Sequence, residues 1–309
     1  MPKENELTIT RVYDAPVKLV WDAWTDPKKA AKWWGPRGFT ITTHSKDLRP
    51  GGIWHYTMHG PDGIDYPNKT KYYEVVPLKK LVYDHGGNDE QAPLFRVTVT
   101  FEETLGKTVM IMIMDFGSPE KARELKKFIK QAGGNSTWDR LGEYLGDAEG
   151  KNKFIINRSF ETTPTIMFRM WTEAEHFCQW LPPTGFTMSY TKADIRPGGT
   201  LSYSMTNGEF TMHGRLTYRE ISPEKIVYAM EFLDEKGNIT RHPALKVFPA
   251  CLVSTITIAA EGEGFTRVTV ETEAGGDYPK EELAALMELR TSMTQGWTGS
   301  FDKLEALLP

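Results

Sequence analysis

The sequence predicts an α+β protein of two successive domains built on one plan. Each domain has a strand, two short helices, a run of strands and one long helix. Three observations predict this. Asp47-Leu48-Arg49-Pro50-Gly51-Gly52 returns 147 residues later as Asp194-Ile195-Arg196-Pro197-Gly198-Gly199. The same offset carries Trp24-Thr25 onto Trp171-Thr172, Trp33 onto Trp180, Phe39 onto Phe186, Tyr56 onto Tyr203 and Met58 onto Met205. A period this long is a domain duplication rather than a solenoid repeat. Finally, 309 residues suit two domains of about 150, each large enough to bury its own core. The polar stretch from Gly146 to Asn152 is the expected linker, which gives domains 1–148 and 149–309.

The first domain opens with Leu7 to Tyr13, whose apolar and polar residues alternate as in a strand. Pro16 starts a helix, as proline does at a first helical position, and Val17, Val20, Trp21 and Trp24 form its apolar stripe. Asp26-Pro27 begins a second short helix that runs to Trp33-Trp34 and stops at Gly35-Pro36. In the second domain the spacing of Thr172 and Glu175 predicts a capping box for the matching helix. That helix ends at Trp180, before Pro182-Pro183.

Strands follow. Phe39 to Ser45 leads into the Arg49-Pro50-Gly51-Gly52 corner. Proline second and glycine third suit a type II turn, which needs positive φ at the third position. Ile53 to Met58, Tyr72 to Val76, Leu81 to Tyr83, Leu94 to Phe101 and Thr108 to Phe116 complete the sheet, with a hairpin turn at Leu105-Gly106-Lys107. The second domain offers Ala250 to Ala259 and Phe265 to Glu273, with extra residues from about Asn238 to Pro249.

The long helix of the first domain starts at Ser118-Pro119-Glu120, a cap, a proline and an acid in order. Leu125, Phe128, Ile129, Trp138, Leu141 and Leu145 form its stripe, with a kink expected at Gly133-Gly134. In the second domain one helix is expected along Leu283, Leu286, Arg290, Met293, Trp297, Phe301, Leu304 and Leu308.

Bulk properties narrow the function classes. Hydrophobic residues are 39% and charged residues 25% of the chain, ordinary for a soluble protein. The longest apolar run, Val109 to Met114, is far too short to cross a bilayer, and the polar N-terminal residues carry no signal-peptide pattern. The two cysteines, Cys178 and Cys251, lie outside any CxxC spacing, so a cytoplasmic location is expected. Net charge is −4 overall, with neither half carrying the basic excess of a nucleic-acid binder. Lys121, Arg123, Lys126, Lys127 and Lys130 fall at helical spacing and suit a solvated face.

These motifs together resemble the helix-grip, or SRPBCC/START-like, superfamily. Within it the chain is similar to the branch named for homology to the activator of heat-shock-protein-ninety ATPase. The resemblance is carried by Trp24-Thr25, the Trp33 helix end, the Asp-x-Arg-Pro-Gly-Gly corner, Glu74-x-x-Pro77 before Leu81-Val82-Tyr83, and Trp138-Asp139-Arg140-Leu141. The second copy repeats these and adds Gly296-Trp297. The resemblance implies two tandem helix-grip domains, each with a curved antiparallel sheet around its long C-terminal helix and a cavity between them. It also implies hydrophobic or amphipathic small molecules as ligands, with chaperone association or cyclase- or hydrolase-type chemistry as alternatives. It transfers no catalytic residue set. The copies differ where Trp34 becomes Leu181 and Trp54 becomes Leu201, so two unequal pockets are expected.

The expected pocket lining follows from side-chain alternation and from the apolar, aromatic character of ligand sites. In the first domain it is Trp33, Trp54, Tyr56, Met58, Met110, Met112 and Phe128. In the second it is Trp180, Tyr203, Met205, Arg290, Met293 and Trp297. Arg290 interrupts an apolar stripe, which suits either an anion contact or a structural pair. The Asp47/Arg49 and Asp194/Arg196 pairs suit a turn clamp. Val109, Ile111 and Ile113 oppose the methionines on their strand, so cover is expected on both faces. His55 points away from Trp54 and Tyr56, whereas His44 and His85 could approach in space. No metal-ligand spacing, nucleotide motif or nucleophile motif is present in the sequence, so neither metal nor cofactor is expected.

Overall fold

A computed structural model describes residues 3–131 and 136–309. The expected kink at Gly133-Gly134 and the pocket contact expected of the Phe128 side chain lie outside the described residues. The chain divides into two compact units, Met1–Lys151 and Asn152–Pro309.

The first unit runs β1 (Glu6–Tyr13), α1 (Val17–Thr25), α2 (Pro27–Ala30), β2 (Thr40–Lys46), β3 (Ile53–His59), β4 (Asp65–Val76), β5 (Lys80–Gly87), β6 (Phe95–Thr104), β7 (Lys107–Asp115), α3 (Pro119–Gln131) and α4 (Ser136–Ala148). Its seven strands form one sheet in the order β1-β7-β6-β5-β4-β3-β2, all antiparallel. Asp26 caps α2 by accepting hydrogen bonds from the Lys28 and Lys29 amides. Ser118 Oγ accepts from the Lys121 amide at the start of α3. The α1 helix lies against β6 and β7, and α4 lies against β1 and α1.

The second unit repeats the plan with β8 (Phe154–Glu161), α5 (Pro164–Thr172), α6 (Ala174–Trp180), β9 (Thr187–Ala193), β10 (Thr200–Thr206), β11 (Thr211–Ser222), β12 (Lys225–Leu233), β13 (Ile239–Thr240), β14 (Cys251–Ala260), β15 (Phe265–Ala274), α7 (Lys280–Glu288) and α8 (Arg290–Leu307). The sheet order is β8-β15-β14-β12-β11-β10-β9, with β13 added on β12. Both units are α+β helix-grip domains, and the chain is a tandem duplication.

The Arg-Pro-Gly-Gly corner sets strand register in both copies. Gly51 takes φ +80° and Gly198 φ +79°, the left-handed region that a type II turn requires. The Gly52 amide closes the turn onto the Arg49 carbonyl at 2.8 Å. The corner then docks on the next strand. Gly51 N–H donates to the Tyr72 carbonyl and Tyr72 N–H donates to the Gly52 carbonyl. Gly198, Gly199 and Tyr218 repeat these bonds. A Cβ on Gly52 or Gly199 would collide with the carbonyl oxygen of Asp47 or Asp194. On the solvent side Arg49 pairs with Asp47 and Arg196 with Asp194, both as turn clamps.

A second device ties the α2 loop to the terminal helix of the first unit. Arg37 and Glu143 form a buried, two-pronged ion pair at 2.9 and 2.6 Å. Arg140 donates to the carbonyls of Gly35, Pro36 and Phe39.

Three expectations are corrected. Thr172 does not cap the second short helix. Its hydroxyl donates back to the Phe168 carbonyl, and Glu173 occupies the cap position without a side-chain bond. The helix expected through Leu283 to Leu308 is broken at Leu289, where ψ flattens to 0°. The outer face of β7 is not fully covered, since Ile111 is 39% exposed. Apolar residues on both faces of a strand do not by themselves supply a second layer.

Two stability predictions follow. Gly52→Ala lowers the urea midpoint further than Gly51→Ala, which costs only about 1–2 kcal/mol of left-handed strain. The comparison is two denaturation curves followed by tryptophan fluorescence. Glu143→Leu removes the two-pronged carboxylate partner of the buried Arg37 and costs up to about 3–5 kcal/mol, whereas Arg37→Met with Glu143→Leu regains part of it. A double-mutant cycle by urea denaturation measures this.

Candidate functional site

Alternation along each strand decides which side chains face the helices. On β3, Trp54 and Tyr56 are buried and Met58 half-buried on the inner face, while His55, Thr57 and His59 occupy the outer one. The Trp54 and Tyr56 rings stack at 4.2 Å. Trp34, from the loop after α2, packs on Trp54 at 4.9 Å, on Tyr56 at 6.4 Å and on the His85 ring at 6.4 Å. Trp24 and Trp138 stack at 5.4 Å, and Trp33 is locked among them, with its indole N–H on the Ala23 carbonyl at 3.0 Å. Trp33 is thus a core residue behind the inner face. Met110 and Met112 are buried in the same core but on β7, across the sheet from Trp54 and Tyr56.

The inner face of the first unit has a polar seam. Reading across strands, Lys46 pairs with Trp54, Trp54 pairs with Thr70, and Thr70 falls opposite a bulge in β5 that carries His85 and Gly86. His85 then pairs with Phe95, whose ring meets Phe116 at 5.3 Å. Gly86 adopts φ +81° in this bulge, the kind of irregularity that redirects a side chain. Tyr56 Oη, Thr70 Oγ1 and His85 Nδ1 are all buried, and none makes a hydrogen bond of good geometry to a described residue, although Trp34 and Thr70 act on Tyr56 Oη as weak hydrogen-bond partners. Tyr72 and Tyr83 lie beside this row at 6.0 Å between rings.

Burial makes these groups neutral. It pushes the Tyr56 phenol up to about 12, with Trp34 and Thr70 opposing weakly, and holds Tyr72 and Tyr83 far above the ordinary phenol range. It pushes His85 down to about 4. Lys46 keeps part of its chain exposed, but its ammonium donates to the Trp24 carbonyl at 3.0 Å and sits 3.8 Å over the Trp54 ring. Desolvation there lowers it to about 7, against the pull of Asp26.

The second unit keeps the frame and changes the seam. Trp180 N–H donates to the Met170 carbonyl at 2.9 Å, the counterpart of Trp33 on Ala23. Trp297, half-buried, stacks on Trp171 at 6.1 Å. Tyr203 and Met205 are buried on the inner face of β10, with the Tyr203 ring packed over Gly214 so closely that a Cβ there would collide with it. The row matching Lys46 to Phe95 is Ala193, Leu201, Leu216, Met230 and Leu252, paired strand to strand. Beyond it, Phe232, Phe248, Leu252 and Leu286 form a second small core, and Met293 packs against both cores. Arg241 fastens the extra segment, pairing with Glu282 on α7 and donating to the Phe248 carbonyl. Arg290 donates to the Lys153 carbonyl at the start of β8, a structural bond to backbone.

The other candidates are placed plainly. His44 bonds Thr57, and His59 bonds Thr42 and Asp65, all on exposed strand faces away from His85. Among the described residues no group of three or more His, Cys, Asp or Glu is arranged to hold a metal ion. Cys178 is buried, and desolvation pushes its thiol up to about 11. No described helix is long and apolar enough to cross a membrane.

Sequence reasoning missed Thr70 and His85 as inner-face residues. A signal existed for His85. Continuing the alternation of Leu81 and Tyr83 by one more step puts it on the same face. Thr70 had none, because its place depends on which residue of β3 it faces.

Comparison with known proteins gives a consistent picture. No curated protein matches the chain at a significant level. Similar solved structures include a protein from Nitrosomonas europaea, 25% identical, covering 48% of this chain and 99% of its own, with a TM-score of 0.44. Others are proteins from Arthrobacter aurescens (26% identical, 47% and 87% covered, TM-score 0.44) and Mycobacterium smegmatis (27% identical, 47% and 93% covered, TM-score 0.43). The family model described as activator of Hsp90 ATPase homolog 1-like protein matches residues 14–146 and again residues 161–309. These two segments take in nearly all of both helix-grip units, so the chain belongs to that family as a tandem pair of its domains.

Proposed function

We propose that this protein binds an amphipathic small molecule inside its first helix-grip unit. The observation that carries the proposal is the cluster on one inner face of three buried polar atoms without well-formed hydrogen bonds, Tyr56 Oη, Thr70 Oγ1 and His85 Nδ1. Leaving a buried donor or acceptor unmatched costs about 1–3 kcal/mol, and such groups call for an explanation. A ligand group that completes their hydrogen bonds supplies one. The surrounding wall of Trp34, Trp54, Phe95 and Phe116 suits an apolar body. The family's fold supports a ligand-binding role in general.

Binding is favoured over chemistry at this site. A catalytic histidine needs an orienting partner and a pKa near the working pH. The contacts of the His85 ring are aromatic, with Phe95 and Trp34, and its pKa is displaced to about 4.

Ligand binding to the folded state raises stability by mass action, about 2.7 kcal/mol at a hundredfold excess over Kd. Native mass spectrometry of gently purified protein is expected to show an adduct. Extraction with organic solvent removes that adduct and lowers the Tm; a preparation without adduct that shows no thermal shift across a lipid and metabolite panel counts against the proposal.

The pH dependence of folding has a defined sign. His85 titrates near 6.5 when unfolded and near 4 when folded. Between these values the unfolded chain holds the extra proton, so the contribution of His85 is complete above pH 6.5 and is lost as pH falls toward 4. Its size is roughly 3 kcal/mol at 1.36 kcal/mol per pKa unit. His85→Met, which installs the residue found at the matching Met230, flattens this acid limb relative to wild type. Urea midpoints at pH 7.0, 5.5 and 4.5 measure the difference.

A further inference from the structure

The two copies provide an internal comparison at one position of one fold. In the second unit the cross-strand row Ala193, Leu201, Leu216, Met230, Leu252 has no polar side chain. In the first unit the same row reads Lys46, Trp54, Thr70, His85, Phe95. The scaffold around both rows is held constant, from the indole bonds of Trp33 and Trp180 to the paired glycine corners. The fold therefore does not require polar atoms here. Within this row Thr70 and His85 occur in the first unit alone, and like Tyr56 Oη they lack a well-formed hydrogen bond among the described residues.

The chemistry of this row selects a partner. A phenol and a threonine hydroxyl can each donate and accept, and a neutral imidazole presents either a donor or an acceptor at Nδ1. A ligand hydroxyl, which also donates and accepts, can satisfy all three kinds of atom. A carboxylate only accepts, and its charge costs several kcal/mol to bury without a close countercharge. The cation in this row is Lys46, at its β2 end. Its ammonium is engaged with the Trp24 carbonyl, and the Trp54 ring lies between it and Thr70.

We propose that Tyr56, Thr70 and His85 form a hydroxyl-recognition subsite that takes the alcohol or phenol end of an uncharged amphiphile, with its apolar body on the neighbouring aromatic wall. This rests on the ligand-binding role proposed above and names the ligand class.

The test titrates the full chain at pH 7.5 by calorimetry with three probes of one shape: 4-hexylphenol, 4-hexylbenzoate and hexylbenzene. The phenol is expected to bind at least tenfold more tightly than either of the others. Tyr56→Phe and Thr70→Val, both close in volume to the native residues, each weaken the phenol about tenfold and leave hexylbenzene unchanged. In histidine-15N-labelled protein the phenol shifts the His85 Nδ1 resonance. Hexylbenzene binding without a preference for the phenol, or phenol affinity unmoved in both variants, overturns the subsite and leaves ligand binding intact. Tightest binding by the benzoate overturns it as well. Failure of all three probes to bind overturns the subsite, while the ligand-binding role stands or falls on the adduct and the panel described above.

Discussion

Strand register is the constraint on which the interior of each unit depends. Side chains alternate across a sheet, so a slip of one residue would turn the whole inner face outward. The Arg-Pro-Gly-Gly corner prevents this by bonding through its glycines to the backbone of the second neighbouring strand, at Tyr72 and again at Tyr218. The turn thereby locks three strands with one set of peptide groups. Everything placed by that lock follows: Trp54 and Tyr56 inward, His55 and Thr57 outward, Thr70 beside Trp54. The two glycines serve separate needs, one the left-handed φ and the other the close approach to Asp47.

Much of this was legible in the sequence, and the limit has a physical cause. The duplicated corner, the paired tryptophans and the amphipathic stripes are local patterns, and they specify elements and their order. The position of a polar residue on a strand is different. Threonine at 70 and histidine at 85 are ordinary strand residues until cross-strand pairing puts them in one row, and β5 reaches that row through a bulge at Gly86. Arg290 illustrates the converse. A charge within an apolar stripe stands out in sequence, yet its guanidinium satisfies a strand-end carbonyl. The break at Leu289 was hidden because residues on both sides of it continue the same spacing of threes and fours.

The comparison of copies separates what holds the fold from what varies on it. Bonds that position the short helices recur at matching residues, Trp33 on Ala23 and Trp180 on Met170. Both units tie the terminal helix to the loop after the short helices through a serine, Ser136 accepting from the Arg37 amide and Ser300 donating to the Leu181 carbonyl. Among the described residues, the first unit has a buried Arg37–Glu143 pair and the Arg140 fork, and in the second Arg158 on β8 reaches Asp302 and Glu305 on α8. The second unit adds a small core around Phe248, clamped by Arg241. A shared frame thus supports two differently filled interiors.

The unmatched polar atoms of the first unit have a consequence for cooperativity. Each compact unit has its own core, and a two-domain chain need not melt in a single transition. The polar row puts three such atoms in the first unit, while Thr162, Trp171 and Tyr218 put unmatched atoms elsewhere in the second, so both copies carry a free-energy handicap at different places. Gene duplication offers a way to tolerate such a handicap. With separate cores, one copy can bear such atoms without drawing packing energy from the other.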